Sequence, residues 1–478
     1  MLPTEDTPLT AGSYSAPEDD HPLPRTEAAS SSFHAFANQA KCCIGIGSLT
    51  LSFVTAKTGL IFSWSGVVLL CYLAWEGVRL LVYCAAQVRR DRELQLKHAK
   101  DGKQPRAGGS GSGSWRGVSV AAFGSLGWKV TFTILVLAQV GVATSYVDQA
   151  VTTLLRFLPP ALAVSRPVAR LLMWIFLSLT SMLISPGMRA VAIFSTIALL
   201  VYLYIYIVLG YYASQTHRAT PLQYGLPADD PALAVMQWYG PAIFAFEGMG
   251  TALSIYESMG ITDPRPFLEV MTWSYLLALL VYLGISTLGY LAYGDSVTRI
   301  VLDSFPVDEP LADSTKLVLA IAVTCSYVLQ MTPVFQACEA LMAPNQPLPG
   351  LPCRIPAWPL VRAGLVGLTV VLSFMLPSVE QMIAVTGALA FSLLCYALPG
   401  AFYLRIAPEE TPCPAYERLV ACLLVPLGLA FSFFGTYGAI MSPDPNSEDL
   451  LKKMAKAAAI AQSEEELSIS APAGISHW

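Results

Sequence analysis

FAFEGMGTALSIYESM, residues 244–259, decides how this chain is read. Glu247 stands among apolar residues and is followed at once by Gly248-Met249-Gly250. Both features weaken an apolar helix. Glycine lowers helix stability by about 0.8–1.0 kcal/mol relative to alanine. A carboxyl group held away from water is costly and by default points to a function. A second stretch has the same punctuation: KCCIGIGSLTLSF, residues 41–53, contains Gly45-Ile46-Gly47.

Both stretches lie in a strongly apolar chain. Of 478 residues, 54% are apolar and 13% charged, about half the charged share of a soluble domain. Mean hydropathy is +0.55. A helix needs about 20 apolar residues to cross a bilayer. Candidate crossings fall at 36–59, 62–88, 125–154, 168–186, 189–212, 236–259, 269–294, 315–342, 359–377, 380–404 and 416–440. They predict an all-α, multi-pass membrane protein with eleven transmembrane helices. The fourth and fifth are divided only by the turn signal Ser185-Pro186-Gly187-Met188-Arg189.

The flanking segments set domain limits and orientation. Residues 1–35 are rich in Ser, Pro, Asp and Glu and are expected to be a disordered cytoplasmic tail without a signal peptide. Segment 89–117 carries Arg89, Arg90, Arg92, Lys97, Lys100, Lys103, Arg106 and Arg116 around a Gly/Ser-rich run, and positive charge marks the cytoplasmic side. Segment 295–314 sets five acidic residues against Arg299 and belongs opposite. Eleven crossings of 36–440 then put the N-terminus in the cytoplasm and the 441–478 tail across the membrane. Within that tail, 449–467 could form a short amphipathic helix.

Several function classes are excluded. A net charge of −5 argues against nucleic-acid binding. The ten cysteines show no C-x-x-C pair, and Cys71, Cys84, Cys325 and Cys395 read as small buried residues. H-E-x-x-H and G-x-S-x-G are missing from the sequence, so neither an enzyme nor a metal or other cofactor is expected.

The glycine pairs supply the positive reading. Unwound backbone at membrane depth is tolerated where it lines a cavity or binds something. Gly-interrupted helices in corresponding positions of two halves point to a binding site. Five crossings precede the sixth, so it runs opposite to the first, and crossings one to five and six to ten form candidate inverted repeats. Amides near Gly45, Gly47 and Ser48 would favour an anionic group. Carbonyls of Phe244 and Ala245 would favour a cationic one. Both polarities together suit a zwitterion such as an amino acid. The competing reading is that the glycines merely let helices pack closely.

FAFEGMGTALSIYESM resembles the sixth-helix motif of the amino acid/auxin permease family, which includes proton-coupled and vesicular amino acid transporters. LVLAQVGVATSYV (135–147), SYVLQMTPVFQACEAL (326–341) and LPSVEQMIAVTGALAFSLLCYALPGAFYL (376–404) are similar to other stretches of that family, with Gly387 and Leu398-Pro399 at its usual positions. The likeness covers about 36–440. The family's usual Leu-Pro pair in the first helix is replaced by Leu49-Thr50-Leu51-Ser52-Phe53. The resemblance implies a leucine-transporter-type 5+5 inverted repeat with broken helices 1 and 6, and secondary active transport of amino acids. It implies that Gly45, Gly47 and Ser48 face the substrate carboxylate. It also implies that Phe244, Glu247, Gly248 and Gly250 line the second break, with Tyr146 and Tyr327 as wall residues.

Other ionisable groups divide into roles. Glu247 is the candidate proton carrier, or alternatively a protonated structural latch. Sodium is the rival coupling ion, with Thr324, Ser326 and Thr332 as available ligands. Glu76 and Arg79 are spaced to pair on one helix face. Asp148 and Lys57 read as solvated helix ends, and Glu257 and Glu339 as solvated ends or latches. Tyr202, Tyr204, Tyr206, Tyr211 and Tyr212 read as an interfacial aromatic belt. The expected partners are an amino acid and the lipid bilayer, in a plasma membrane or an acidic organelle such as a lysosome or vacuole. The alternative function is a nutrient sensor that binds an amino acid without flux and is read by a protein partner on segment 89–117 or the N-terminal tail.

Overall fold

A computed structural model describes residues 30–100, 113–157, 165–183, 188–215, 222–306, 309–339, 357–375, 379–409 and 411–442. Most of both tails, most of the Gly/Ser-rich run and the turn between the fourth and fifth crossings lie outside the described residues. The chain is helical, and among the described residues there is no strand.

The first stretch of interest forms α1 (Ser32–Cys43), a 3₁₀ turn (Ile46–Thr50) and α2 (Leu51–Thr58). Long helices follow: α3 (Leu60–Lys100), α4 (Trp115–Phe157), α5 (Arg166–Leu183) and α6 (Met188–Gln215). The second stretch splits into α7 (Pro231–Phe244) and α8 (Met249–Ser258). Then come α9 (Arg265–Tyr293), α10 (Pro310–Glu339) and α11 (Ala357–Met375). The helix that includes the 380–404 stretch runs from α12 (Val379–Thr386) through two π-helical turns, Gly387–Phe391 and Leu393–Ala397, into α13 (Leu398–Ile406). The last element is α14 (Pro414–Ile440).

Among the described residues, eight helices are long and apolar enough to cross a membrane. Three expected crossings fall outside those eight. The first and sixth are each divided into pieces of 8 to 14 residues, too short to span about 30 Å at 1.5 Å per residue. The fourth is the 18-residue α5, which carries Arg166 and Arg170. Two boundaries differ from the sequence reading. α3 continues to Lys100, so Arg89, Arg90, Arg92 and Lys97 ride on a helical extension instead of a loop. α4 starts ten residues before 125, because a kink at Gly124 (φ 65°, ψ −152°) lets a preceding helical turn join it.

The broken elements occupy the centre. α1 packs against α6 and α9, α2 against α7 and α9, and α7 against α14 and the first π-helical turn. Gly387 in that turn meets α7 so closely that a methyl group there would lie 2.0 Å from Gly240 O. Several charges elsewhere in the bundle are paired. Glu76 and Arg79 meet at 2.7 Å as their spacing predicts, and Glu417 of α14 joins the same guanidinium at 3.3 Å. Tyr416 and Tyr403 donate to the two carboxylates at 2.6 and 3.2 Å. Arg170 holds Asp148 at 2.8 Å, and Arg362 holds Glu339 at 2.6 Å. Asp148 and Glu339 are therefore clasps between helices.

The tyrosine run is not a uniform belt. Tyr202 and Tyr212 are buried, Tyr204 pairs with Ser314 of α10, and Tyr211 is exposed. The turns of α6 aim these side chains in different directions, so one face meets the core.

Replacing Arg79 with Leu strands two buried carboxylates. Breaking such a pair costs about 3–5 kcal/mol. A large fall in melting temperature is expected in detergent, with a small one for Arg156→Ala, whose half-exposed pair with Asp313 at 3.5 Å is worth at most about 1 kcal/mol.

Candidate functional site

The first interruption is complete. After Cys43, Ile44 (φ −96°, ψ 84°) and Gly45 (φ −118°, ψ −167°) leave the helical region. The 3₁₀ turn then begins with Ser48 N donating to Gly45 O at 3.1 Å. The amides of Gly45, Ile46 and Gly47 consequently have no backbone acceptor among the described residues. The hydroxyls of Ser48 and Thr50 donate back to Gly45 O and Gly47 O at 2.7 Å. These two bonds tighten the turn.

The second interruption is a compressed turn. Phe246 N donates to Ile243 O at 3.0 Å and Glu247 N to Phe244 O at 3.1 Å, a 3₁₀ pattern set between α7 and α8. The carbonyls expected to face a cation are engaged here. Phe244 O accepts the Glu247 amide, and Ala245 O accepts the Tyr282 hydroxyl of α9, which also contacts Cys43 O. Tyr282 thus ties both interruptions to α9.

The glycines are where the breaks touch. A methyl group on Gly45 would lie 1.9 Å from Glu247 Oε1. One on Gly47 would lie 2.6 Å from the Phe244 ring, and one on Gly248 2.7 Å from Cys43 Sγ. On Gly250 it would overlap Gln139 Nε2 at 1.5 Å. These contacts also realise the close packing that was the competing reading, and the open amides go beyond it.

Glu247 is fully buried, and its Oε1 accepts the Tyr146 hydroxyl of α4 at 2.6 Å. Its Oε2 has no hydrogen-bond partner among the described residues. Glu247 precedes the Gly248 N-cap of α8, where the positive end of the half-helix dipole favours a negative group. Lys41 has the mirrored role. It lies in the last turn of α1, 1% exposed, and its ammonium donates to Ile44 O at 3.4 Å. The rings of Tyr202 and Tyr146 flank it at 5.2 and 5.7 Å. Each half helix therefore carries the charge that its own terminus prefers.

Sequence reasoning brought together Gly45, Gly47, Ser48, Tyr146, Phe244, Glu247, Gly248 and Gly250, and the structure sets them around one locus. Tyr327 turns elsewhere and pairs with Thr369 of α11 at 2.8 Å. Lys41, Tyr282 and three buried glutamines were missed. Gln39 donates to Gly248 O at 3.0 Å, and Gln330 donates to Gln139 Oε1 at 2.7 Å beside Gly250. A lysine four residues before G-x-G was a usable signal, masked by its place near the start of an expected crossing.

A multi-pass helical membrane protein with two interrupted helices meeting over buried charge belongs to the class of solute carriers. The chain is a member of the transmembrane amino acid transporter protein family, which matches residues 28–441. It is 24% identical to the amino acid transporter AVT3B of Arabidopsis thaliana over 439 residues, covering 89% of this chain and 97% of that one. It is 26% identical to the vacuolar amino acid transporter 4 of Saccharomyces cerevisiae over 240 residues, 45% of this chain and 33% of that protein. The chain thus matches about a third of the yeast relative's length. A crystal structure of the Eremococcus coleocola manganese transporter superposes with a TM-score of 0.53 at 13% identity, covering 92% of this chain and 93% of that one. That likeness shows the fold alone. The family and the relatives are transporters, not enzymes.

Tyr146→Phe leaves both Glu247 oxygens unpartnered and is expected to destabilise by about 1–3 kcal/mol. In a melting cycle, Tyr146→Phe and Glu247→Gln should be strongly non-additive. Gly45→Ala should lower the melting temperature several degrees, while Gly364→Ala, with open space around it, should not.

Proposed function

We propose that the chain is a secondary active transporter of amino acids, driven by protons, that alternates access around the two interruptions. The observation that carries this reading is the buried Glu247 carboxyl. One oxygen is held by Tyr146 and the other is unpartnered, beside the open amides of Gly45–Gly47. Those amides would receive the substrate carboxylate. The α-ammonium would meet the carbonyl side of the second break once Tyr282 or the Glu247 amide yields it. Glu247 would carry the proton, exchanging it as the bundle rocks.

The topology that fits is eleven crossings, with α1/α2, α5 and α7/α8 added to the eight long apolar helices. Crossings one to five and six to ten then form the inverted 5+5 repeat, and α14 is the eleventh. The N-terminal tail (1–35) lies in the cytoplasm with segment 89–117, and 441–478 on the far side. The relatives named as vacuolar favour an acidic organelle membrane, where a standing proton gradient is available.

In proteoliposomes with an imposed pH gradient, labelled amino acids are expected to accumulate against their own gradient. Gly248→Leu should abolish uptake by pressing into Cys43 and Gln39. Glu247→Gln should abolish gradient-driven accumulation by at least tenfold while retaining amino acid exchange at equal pH. Accumulation by Glu247→Gln at the wild-type level would refute the proton role.

A further inference from the structure

In interrupted membrane helices, the carbonyl end of a half helix is where a coupling cation is commonly held, because its dipole end is negative and its carbonyls lack amide partners. In this chain that end is α1, and the protein's own Lys41 ammonium donates to the Ile44 carbonyl there at 3.4 Å. The single proton of the Tyr282 hydroxyl is shared between Cys43 O and Ala245 O. The ammonium is 1% exposed, and no carboxylate lies within salt-bridge distance of it among the described residues. It sits within electrostatic range of Glu247 across the interruption. The groups around it are Glu247 at the second break, Tyr146 of α4, Tyr202 of α6, and Cys42 and Cys43 of α1 itself. Glu247 is the one carboxyl group among them.

From these observations we infer that Lys41 is the resident cation of the first interruption. Its tethered ammonium takes the place of a diffusible metal cation at the carbonyl end of α1, and sodium therefore has no part in transport. Lys41 would then determine the identity of the coupling ion, which leaves Glu247 to carry the proton. The inference rests on the transport reading above, and its test separates the two.

The full chain is reconstituted in proteoliposomes. Uptake of a labelled mixture of the twenty common amino acids is measured under a pH gradient, in sodium chloride and in choline chloride. Wild type is expected to transport equally in both, within twofold, and its melting temperature should not respond to 150 mM sodium (about the physiological ionic strength). Lys41→Met, which keeps the stem and removes the charge, should lose at least tenfold of its uptake in choline. It should also acquire a melting temperature that rises with sodium. Lys41→Arg, which keeps a cation, should stay sodium-independent. Wild-type uptake that needs sodium, a sodium-induced rise in the wild-type melting temperature, or Lys41→Met uptake in choline within twofold of wild type would each overturn the inference. If Lys41→Met does not fold, the wild-type sodium titrations decide alone. A complete lack of amino acid uptake by wild type in every medium would instead sink the transport reading.

Discussion

The structure depends on how charge is held at helix ends that have no access to water. An isolated ammonium or carboxylate is strongly disfavoured in a low-dielectric interior, and so is an unpaired peptide group. Here each helps the other. Lys41 sits at the negative end of α1 and Glu247 at the positive end of α8, so the half-helix dipoles partly replace the lost solvation of both side chains. Continuous helices through Gly45 and Gly248 would cancel those ends and leave both charges unsupported. The interruptions and the ionisable residues form one device.

Close approach makes the device possible. The contacts at Gly45, Gly47, Gly248 and Gly250 leave no space for even a methyl group. The open segment after α1 and the compressed turn before α8 can therefore meet at van der Waals distance. Tyr282 from α9 and the glutamines from α1, α4 and α10 occupy the remaining polar positions. Gln39 Oε1, Gln139 Nε2 and Glu247 Oε2 stay unpartnered. Buried polar atoms without partners are uncommon and expensive.

What the sequence made legible was local. Apolar run length located the helices, G-x-G located the interruptions, and the i,i+3 spacing of Glu76 and Arg79 located an ion pair. What it hid depends on which helices become neighbours. Glu417 joins Arg79 from 338 positions away, and Tyr282 reaches Cys43 across 239. Neither partner is marked by any local pattern. Lys41 was overlooked and Tyr202 misread for a related reason. A lysine near the start of an apolar stretch, or a tyrosine in a tyrosine-rich one, looks interfacial until packing shows that each shields the other. The missing Leu-Pro pair was visible, but the hydroxyl bonds of Ser48 and Thr50 back to Gly45 O and Gly47 O were not.

The central claim is that two backbone interruptions, with Lys41 and Glu247 at their ends, grip a small zwitterion. An experimental density map of the protein in lipid nanodiscs with a transported amino acid bound tests it most directly. The account predicts solute density whose carboxylate lies within hydrogen-bond distance of the Gly45–Gly47 amides, beside Glu247, with Tyr282 released from Ala245 O. Helices that run unbroken through residues 43–51 and 244–249, or a solute bound away from both, would contradict it.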